Sequence, residues 1–195
     1  MVLAIPLSHD DARNLSLLRD RALPSDDFTD AVDNLGYALV DYLICEEIVD
    51  VDKVYSVVVM RAGLGLWFGA YEHLRGRPVG FIDAKRDHVT LKPVLGMYKC
   101  NPDLGGKTVL VFETMLATGG SLSAAITALK KESEVLPQRI IAVTLLAAPE
   151  GIAQMEHDHP DVLVVTACID EGLDERGYIV PGLGDAGDRL FGPIA

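Results

Sequence analysis

Apolar positions along the chain change their spacing near residue 50, and the change divides the predicted elements into two groups. Before it, the spacing is helical. Ser8 through Arg21 reads as a short helix, with Ser8 as its cap and Asp11 three residues on to answer it. A longer helix follows from Ser25, where Phe28, Val32, Leu35, Leu39 and Tyr42 recur on one side and Asp26, Asp30 and Asp33 fall on others. From Val54 the pattern becomes one of unbroken apolar runs. VYSVVVM is β-branched and is followed by Arg61-Ala62-Gly63 and a helical stretch near Leu66 to Leu74. VGFID, TVLVFE, RIIAVTLLAA and DVLVVTACID supply four further strands, with helices over LSAAITALKKE and from Pro149 to His157. Strands apolar on every position, alternating with helices, predict an α/β fold: a parallel sheet flanked by helices on both faces.

Two segments stand outside that alternation. Residues 87–104 read as a hairpin or flap inserted between two units, and residues 171–195 are rich in glycine and show no helical periodicity. The expected organisation is one domain over 1–195, with a helical cover at 1–50. In an open parallel sheet, ligands gather at the carboxyl ends of the strands. Three of those ends carry suggestive residues: Arg61-Ala62-Gly63, Glu113 through Ser121, and Asp170 onward.

Composition narrows the function classes. The 195 residues are 49% hydrophobic and carry a net charge of −12, so nucleic acid and anionic lipid are disfavoured as partners. The three cysteines, Cys45, Cys100 and Cys168, are far apart and form no C-x-x-C pair, which points to a reducing compartment. The start, MVLAIPLSHDD, lacks the basic residues and long apolar stretch of a secretory signal, and no run of about 18 apolar residues occurs. A cytoplasmic protein is expected. The mean hydropathy of +0.24 suggests self-association.

The strongest chemical motif is VLVFETMLATGGS, from Val109 to Ser121. A buried strand ends in Glu113, and a loop of small residues (Ala117, Thr118, Gly119, Gly120, Ser121) leads into a helix. Glycine amides, hydroxyls and a helix N-terminus suit a phosphate, and an acid at the strand end suits the two hydroxyls of a ribose. The simpler reading is a strand-to-helix turn capped by Ser121. Arg61 reads either as an anion contact or as a surface ion pair, and Arg86 and Lys99 beside the flap as solvated or functional. GYIVPGLGDAGDRLFG contains a formal G-x-G-x-x-G, but too little chain follows Gly187 for a dinucleotide-binding unit. It reads either as a loop that recognises a flat polar ligand through its main chain or as a flexible tail. His157 and His159 form an H-x-H pair with no third metal ligand at a familiar spacing, and a solvated helix end is expected there.

Taken together, RAGLG, ETMLATGGS, AAPEGI, HPDV and YIVPGLGDAGDRLFG resemble the uracil phosphoribosyltransferase family, over most of the chain from Val57 to Gly192. The resemblance implies a type I phosphoribosyltransferase-like fold with a flap at 87–104 and a C-terminal hood, 171–195 forming the base-binding loop and tail. It implies transfer of phosphoribose from phosphoribosyl pyrophosphate to uracil, with Mg2+ carried through the pyrophosphate and no direct protein ligand. By position, Glu113, Thr114, Met115, Leu116, Ala117, Thr118, Gly119, Gly120 and Ser121 would hold the ribose hydroxyls and 5-phosphate. Arg61 and Arg86 would contact the pyrophosphate, and Asp185 would act near the metal, through water. Ile179, Gly184 and Ala186 would read the base edge. A homo-oligomer, dimer or tetramer, is implied as well. Glu113-Thr114 replaces the family's usual aspartate-proline. Two other readings stay open: a sensor that binds UMP or phosphoribosyl pyrophosphate without turnover, and a transferase for a uracil analogue.

Overall fold

The computed structural model describes residues 1–86, 93–134, 136 and 138–193. Strand β1 (Val2–Ala4) opens the chain, then α1 (His9–Leu18) and α2 (Ser25–Cys45). The expected cap is present: the Ser8 hydroxyl accepts from the Asp11 amide at 3.1 Å, and the Asp11 carboxylate accepts from the Ser8 amide at 3.2 Å. Two orphan donors at the head of α1 are thereby satisfied. The alternating core follows: β2 (Val54–Met60), α3 (Gly63–Leu74), β3 (Val79–Arg86), β4 (Pro93–Lys99), β5 (Thr108–Leu116), α4 (Gly120–Glu132), β6 (Arg139–Ala147), α5 (Pro149–Asp158) and β7 (Leu163–Ile169). The chain closes with β8 (Gly172–Leu173), β9 (Ile179–Val180) and α6 (Ala186–Phe191).

Seven strands form one sheet in the order β1-β7-β6-β5-β2-β3-β4, and β8 pairs with β9 alone. All pairings in the large sheet are parallel except β3 with β4, which is antiparallel. That pair joins β3, read from the sequence as a core strand, to β4, which falls within the 87–104 segment read as a hairpin or flap; residues 87–92 of that segment lie outside the described residues. Uniform hydrophobicity in the strands has the cause expected of it. On one face Val58, Leu110, Phe112 and Val143 pack with α2 and α3, whereas on the other Val57, Val109, Val111 and Ala142 pack with α4.

Two features differ from the sequence reading. Strand β1 was not anticipated: three half-exposed residues pair with Val164–Thr166 at the sheet edge, too short a run to register as a pattern. The glycine-rich end is not wholly irregular, because Asp185 caps the six-residue α6 by accepting the Asp188 amide at 2.9 Å. A helix of under two turns is too short for its periodicity to be visible.

Helices α2 and α3 approach so closely that side chains are excluded between them. A Cβ on Gly69 would strike the Asp33 backbone, and one on Gly36 the Leu66 carbonyl. Gly69→Ala is therefore expected to cost about 2 kcal/mol through overpacking, read as a lower urea midpoint at unchanged slope. An unchanged midpoint would show that the two helices can separate without loss.

Candidate active site

Strand β5 lies in the middle of the sheet, between β6 and β2, and runs three residues past Glu113. The turn Ala117-Thr118-Gly119 then reverses the chain into α4. Gly119 occupies the N-cap position with φ +80°, a left-handed conformation that favours glycine, and no side chain caps the helix. Ser121 is thus not the cap that the simpler reading required; it sits half-buried in the first turn. The leading amides of α4 keep no side-chain acceptor, which leaves them available to an anion.

Glu113 is half-buried on a cavity wall, with protein packed around its carboxyl. Burial pushes its pKa from an ordinary 4.5 up to about 8, against which only the Thr114 amide acts. The next side chain, Thr114, is fully buried, and its hydroxyl has no partner among the described residues.

The closing motif folds over this strand end. Asp174 holds a tight turn by accepting the Arg176 and Tyr178 amides, both at 2.9 Å, and β9 carries Ile179 into the core. Between the motif and β5 lies a cavity of about 230 Å³. It is lined by the expected Glu113, Thr114, Met115, Ala117, Ile179, Gly184, Asp185 and Ala186. Its volume is below the roughly 300–1,000 Å³ of drug-sized sites and suits a single small ring. Ala62, Gly177, Tyr178 and Gly187 also line it; they lie within the Arg61-Ala62-Gly63 and GYIVPGLGDAGDRLFG motifs but were not singled out there as contacts.

The remaining expected residues separate. Leu116 is 1% exposed and belongs to the core, because β5 continues through it. Thr118 and Gly120 line a larger groove of about 750 Å³ with Ser123, Gln154 and Asp158, running along α4 beneath Leu95 of β4. Gly119 backs onto Gly151 and Gln154 of α5. Arg61 does not line the small cavity and forms a part-exposed ion pair, one of its two expected readings: its guanidinium meets Asp188 at 2.8 Å and donates to the Gly192 carbonyl at 3.0 Å. Arg86 closes β3 on the flap side, and its side chain lies outside the described residues. Lys99 ends β4 and is exposed.

Histidines at the end of α5 depart from the solvated pair expected. His157 is exposed, but His159 is 6% exposed, with Nε2 2.9 Å from the Ser123 carbonyl and Nδ1 3.3 Å from Lys130. It ties α5 to α4. No group of three or more His, Cys, Asp or Glu converges among the described residues in a way that could hold a metal ion.

Comparison with known proteins gives consistent results. The uracil phosphoribosyltransferase family model matches residues 43–193. The uracil phosphoribosyltransferase of Clostridium botulinum is 40% identical, with 91% of this chain and 92% of that protein covered. That of Clostridium acetobutylicum is 41% identical at the same coverage. The solved structure of the AQ2163 protein from Aquifex aeolicus superposes with a TM-score of 0.88 at 30% identity, over 98% of each chain. A purine phosphoribosyltransferase from Pyrococcus horikoshii shares the fold, with a TM-score of 0.51 at 24% identity over 70% of this chain and 82% of that one.

A carboxyl whose pKa is raised in the folded state makes the protein less stable as pH increases. The unfolded chain ionises Glu113 from about pH 4.5, the folded chain only near pH 8, so stability falls across that window and levels off above it. Glu113→Gln is expected to raise the urea midpoint more at pH 8 than at pH 5. Equal gains at both pH values would mean that the carboxyl titrates normally.

Proposed function

The chain belongs to the uracil phosphoribosyltransferase family, and on that premise we propose that it transfers the 5-phosphoribosyl group from phosphoribosyl pyrophosphate to uracil, giving UMP and pyrophosphate. The carrying observation is that Glu113 and the closing motif meet on one ring-sized cavity at the carboxyl end of β5.

Each role follows from what the chemistry needs. Cleavage between C1 of the ribose and pyrophosphate creates an oxocarbenium-like centre and a strongly anionic leaving group. Glu113 engages the ribose hydroxyls, and the uncapped head of α4, from Ala117 to Ser121, takes the 5-phosphate. Arg61 and Arg86 stabilise the departing pyrophosphate. Backbone groups of Ile179, Gly184 and Ala186 match the donor and acceptor edge of uracil. Cytosine would leave buried groups unpaired, which is a large penalty.

The residues present suit Mg2+ held chiefly by ligand oxygens. Asp185 is an exposed carboxylate on the cavity rim, a hard oxygen donor, and one carboxylate with substrate phosphates is a usual Mg2+ environment. When bound, Mg2+ supplies charge neutralisation for the leaving group.

No described helix is long and apolar enough to cross a membrane. A cytoplasmic homo-oligomer, dimer or tetramer, completes the reading, supported by the exposed Phe68 and Tyr71 on α3 and Leu95 and Met97 on β4.

The test is Mg2+-dependent UMP formation from uracil and phosphoribosyl pyrophosphate. Wild type should form UMP, and Asp185→Asn, which can still cap α6, should lose about a hundredfold in kcat. Folded wild type that binds UMP yet forms none would replace the transfer reading with the sensor.

A further inference from the structure

One ion pair, built on a buried carboxylate and a partly exposed arginine, lies behind the base cavity and takes no part in the chemistry just described. Asp170 follows β7 directly, and its side chain is 2% exposed. Arg19, the C-cap of α1, lies 151 positions earlier and meets it with both terminal nitrogens, Nη1 to Oδ2 at 2.8 Å and Nη2 to Oδ1 at 2.6 Å. The pair does more than neutralise itself. Asp170 Oδ2 accepts the Gly182 amide at 2.9 Å, and Arg19 Nη1 donates to the Gly182 carbonyl at 3.2 Å. Both peptide groups of one residue are thus held, at a position where φ is +57° and a Cβ would strike the Ile179 carbonyl.

The neighbouring peptide is held from the same place. Arg189 donates to the Leu183 carbonyl at 2.8 Å while its guanidinium also takes the Leu18 and Asp20 carbonyls at the end of α1. It lies 3.9 Å over the Phe28 ring of α2, which fixes it in turn. Gly182 and Leu183 form the closed back of the turn whose two ends, Tyr178-Ile179 and Gly184-Asp185, line the cavity. Burial alone would raise the Asp170 pKa, but the Arg19 hydrogen bond and the Gly182 amide outweigh it, and the carboxyl stays below its ordinary value.

We propose that Arg19 and Asp170 are positioning residues for base recognition: the pair fixes the Gly182–Gly184 turn against the end of α1 so that its main chain faces the pyrimidine in one geometry. This rests on the reading of the cavity as the uracil site. A structural role alone accounts poorly for the arrangement, since well-packed apolar residues commonly stabilise as well as a buried ion pair does. Apolar residues cannot hold both polar groups of Gly182. The groups assigned to ribose and 5-phosphate stand on β5 and α4, which the pair does not touch.

Kinetics, urea unfolding and amide exchange should be measured together on wild type, Arg19→Lys, Arg19→Met and the apolar double variant Arg19→Met/Asp170→Leu. Arg19→Met is expected to raise KM for uracil about tenfold or more, as displaced positioning groups do, with KM for phosphoribosyl pyrophosphate changed less than about threefold. Exchange at Gly182 and Gly184 should accelerate, and Arg19→Lys, which keeps the charge without the two-nitrogen contact, should fall between. The double variant should recover the urea midpoint but not the uracil KM. Recovery of both would overturn the proposal, as would a loss confined to kcat. If Arg19→Met does not fold, Arg19→Lys carries the same comparison against wild type. If wild type forms no UMP, the transfer reading fails by itself, and amide exchange decides the positioning: unchanged exchange at Gly182 and Gly184 in the variants refutes it.

Discussion

Both faces of the sheet are covered, and this constraint determines where everything polar can go. A residue in the middle of β2, β5 or β6 meets α2 and α3 on one side or α4 on the other, so the strands carry apolar side chains at nearly every position. Polar chemistry is confined to the strand ends. Glu113 is the instructive case, because it stands one residue beyond the buried Phe112 and is still dry enough to carry a pKa of about 8. Its environment belongs to the core while its carboxyl faces the cavity. The same confinement places Asp170 at the end of β7 and Arg61 at the end of β2, so three strands deliver charged groups to one edge of the molecule.

Much of this was legible in the sequence for a definite physical reason. Strands covered on both faces read as unbroken apolar runs, and all five inferred that way are present. Helix α2 was legible because it shows one apolar side over several turns, and α1 because its Ser8–Asp11 capping box is local. What was not legible depended on few residues or on distant ones. Strand β1 has three residues and α6 has six, neither enough to establish a period. The ATGGS loop looked like one phosphate-holding unit, yet Ala117 faces one cavity and Thr118 and Gly120 another. A left-handed residue at Gly119 turns the chain within that short span, and its effect on direction does not appear in the order of residue types.

Asp170 was conspicuous as a polar residue closing an apolar strand, whereas Arg19 looked like any arginine at a helix end. Only the fold brings the two together. Arg189 is similar: it sits in a motif whose glycines attract notice, but its partners are three carbonyls, two of them on a turn about 170 residues away. A carbonyl has no signature in sequence. Residues that act by holding main chain are therefore the ones that pattern reading passes over, even when the main chain they hold lies within the best-recognised motif.

The two arginine–aspartate pairs at this edge are alike in chemistry and opposite in consequence, and burial decides the difference. Arg61 and Asp188 are 31% and 44% exposed, so their attraction is screened by water and is worth little when exchanged. The Arg61 guanidinium can therefore exchange Asp188 for another anion while Asp188 returns to solvent at small cost. Asp170 is 2% exposed, and parting it from Arg19 would leave a charge without water or partner. That pair cannot serve as a replaceable contact and is suited instead to holding a turn in place. The difference lies in the carboxylates, since Arg19 at 26% and Arg61 at 31% are exposed alike: Asp188 has water to return to and Asp170 has none, so the buried carboxylate is what ties Arg19 in place.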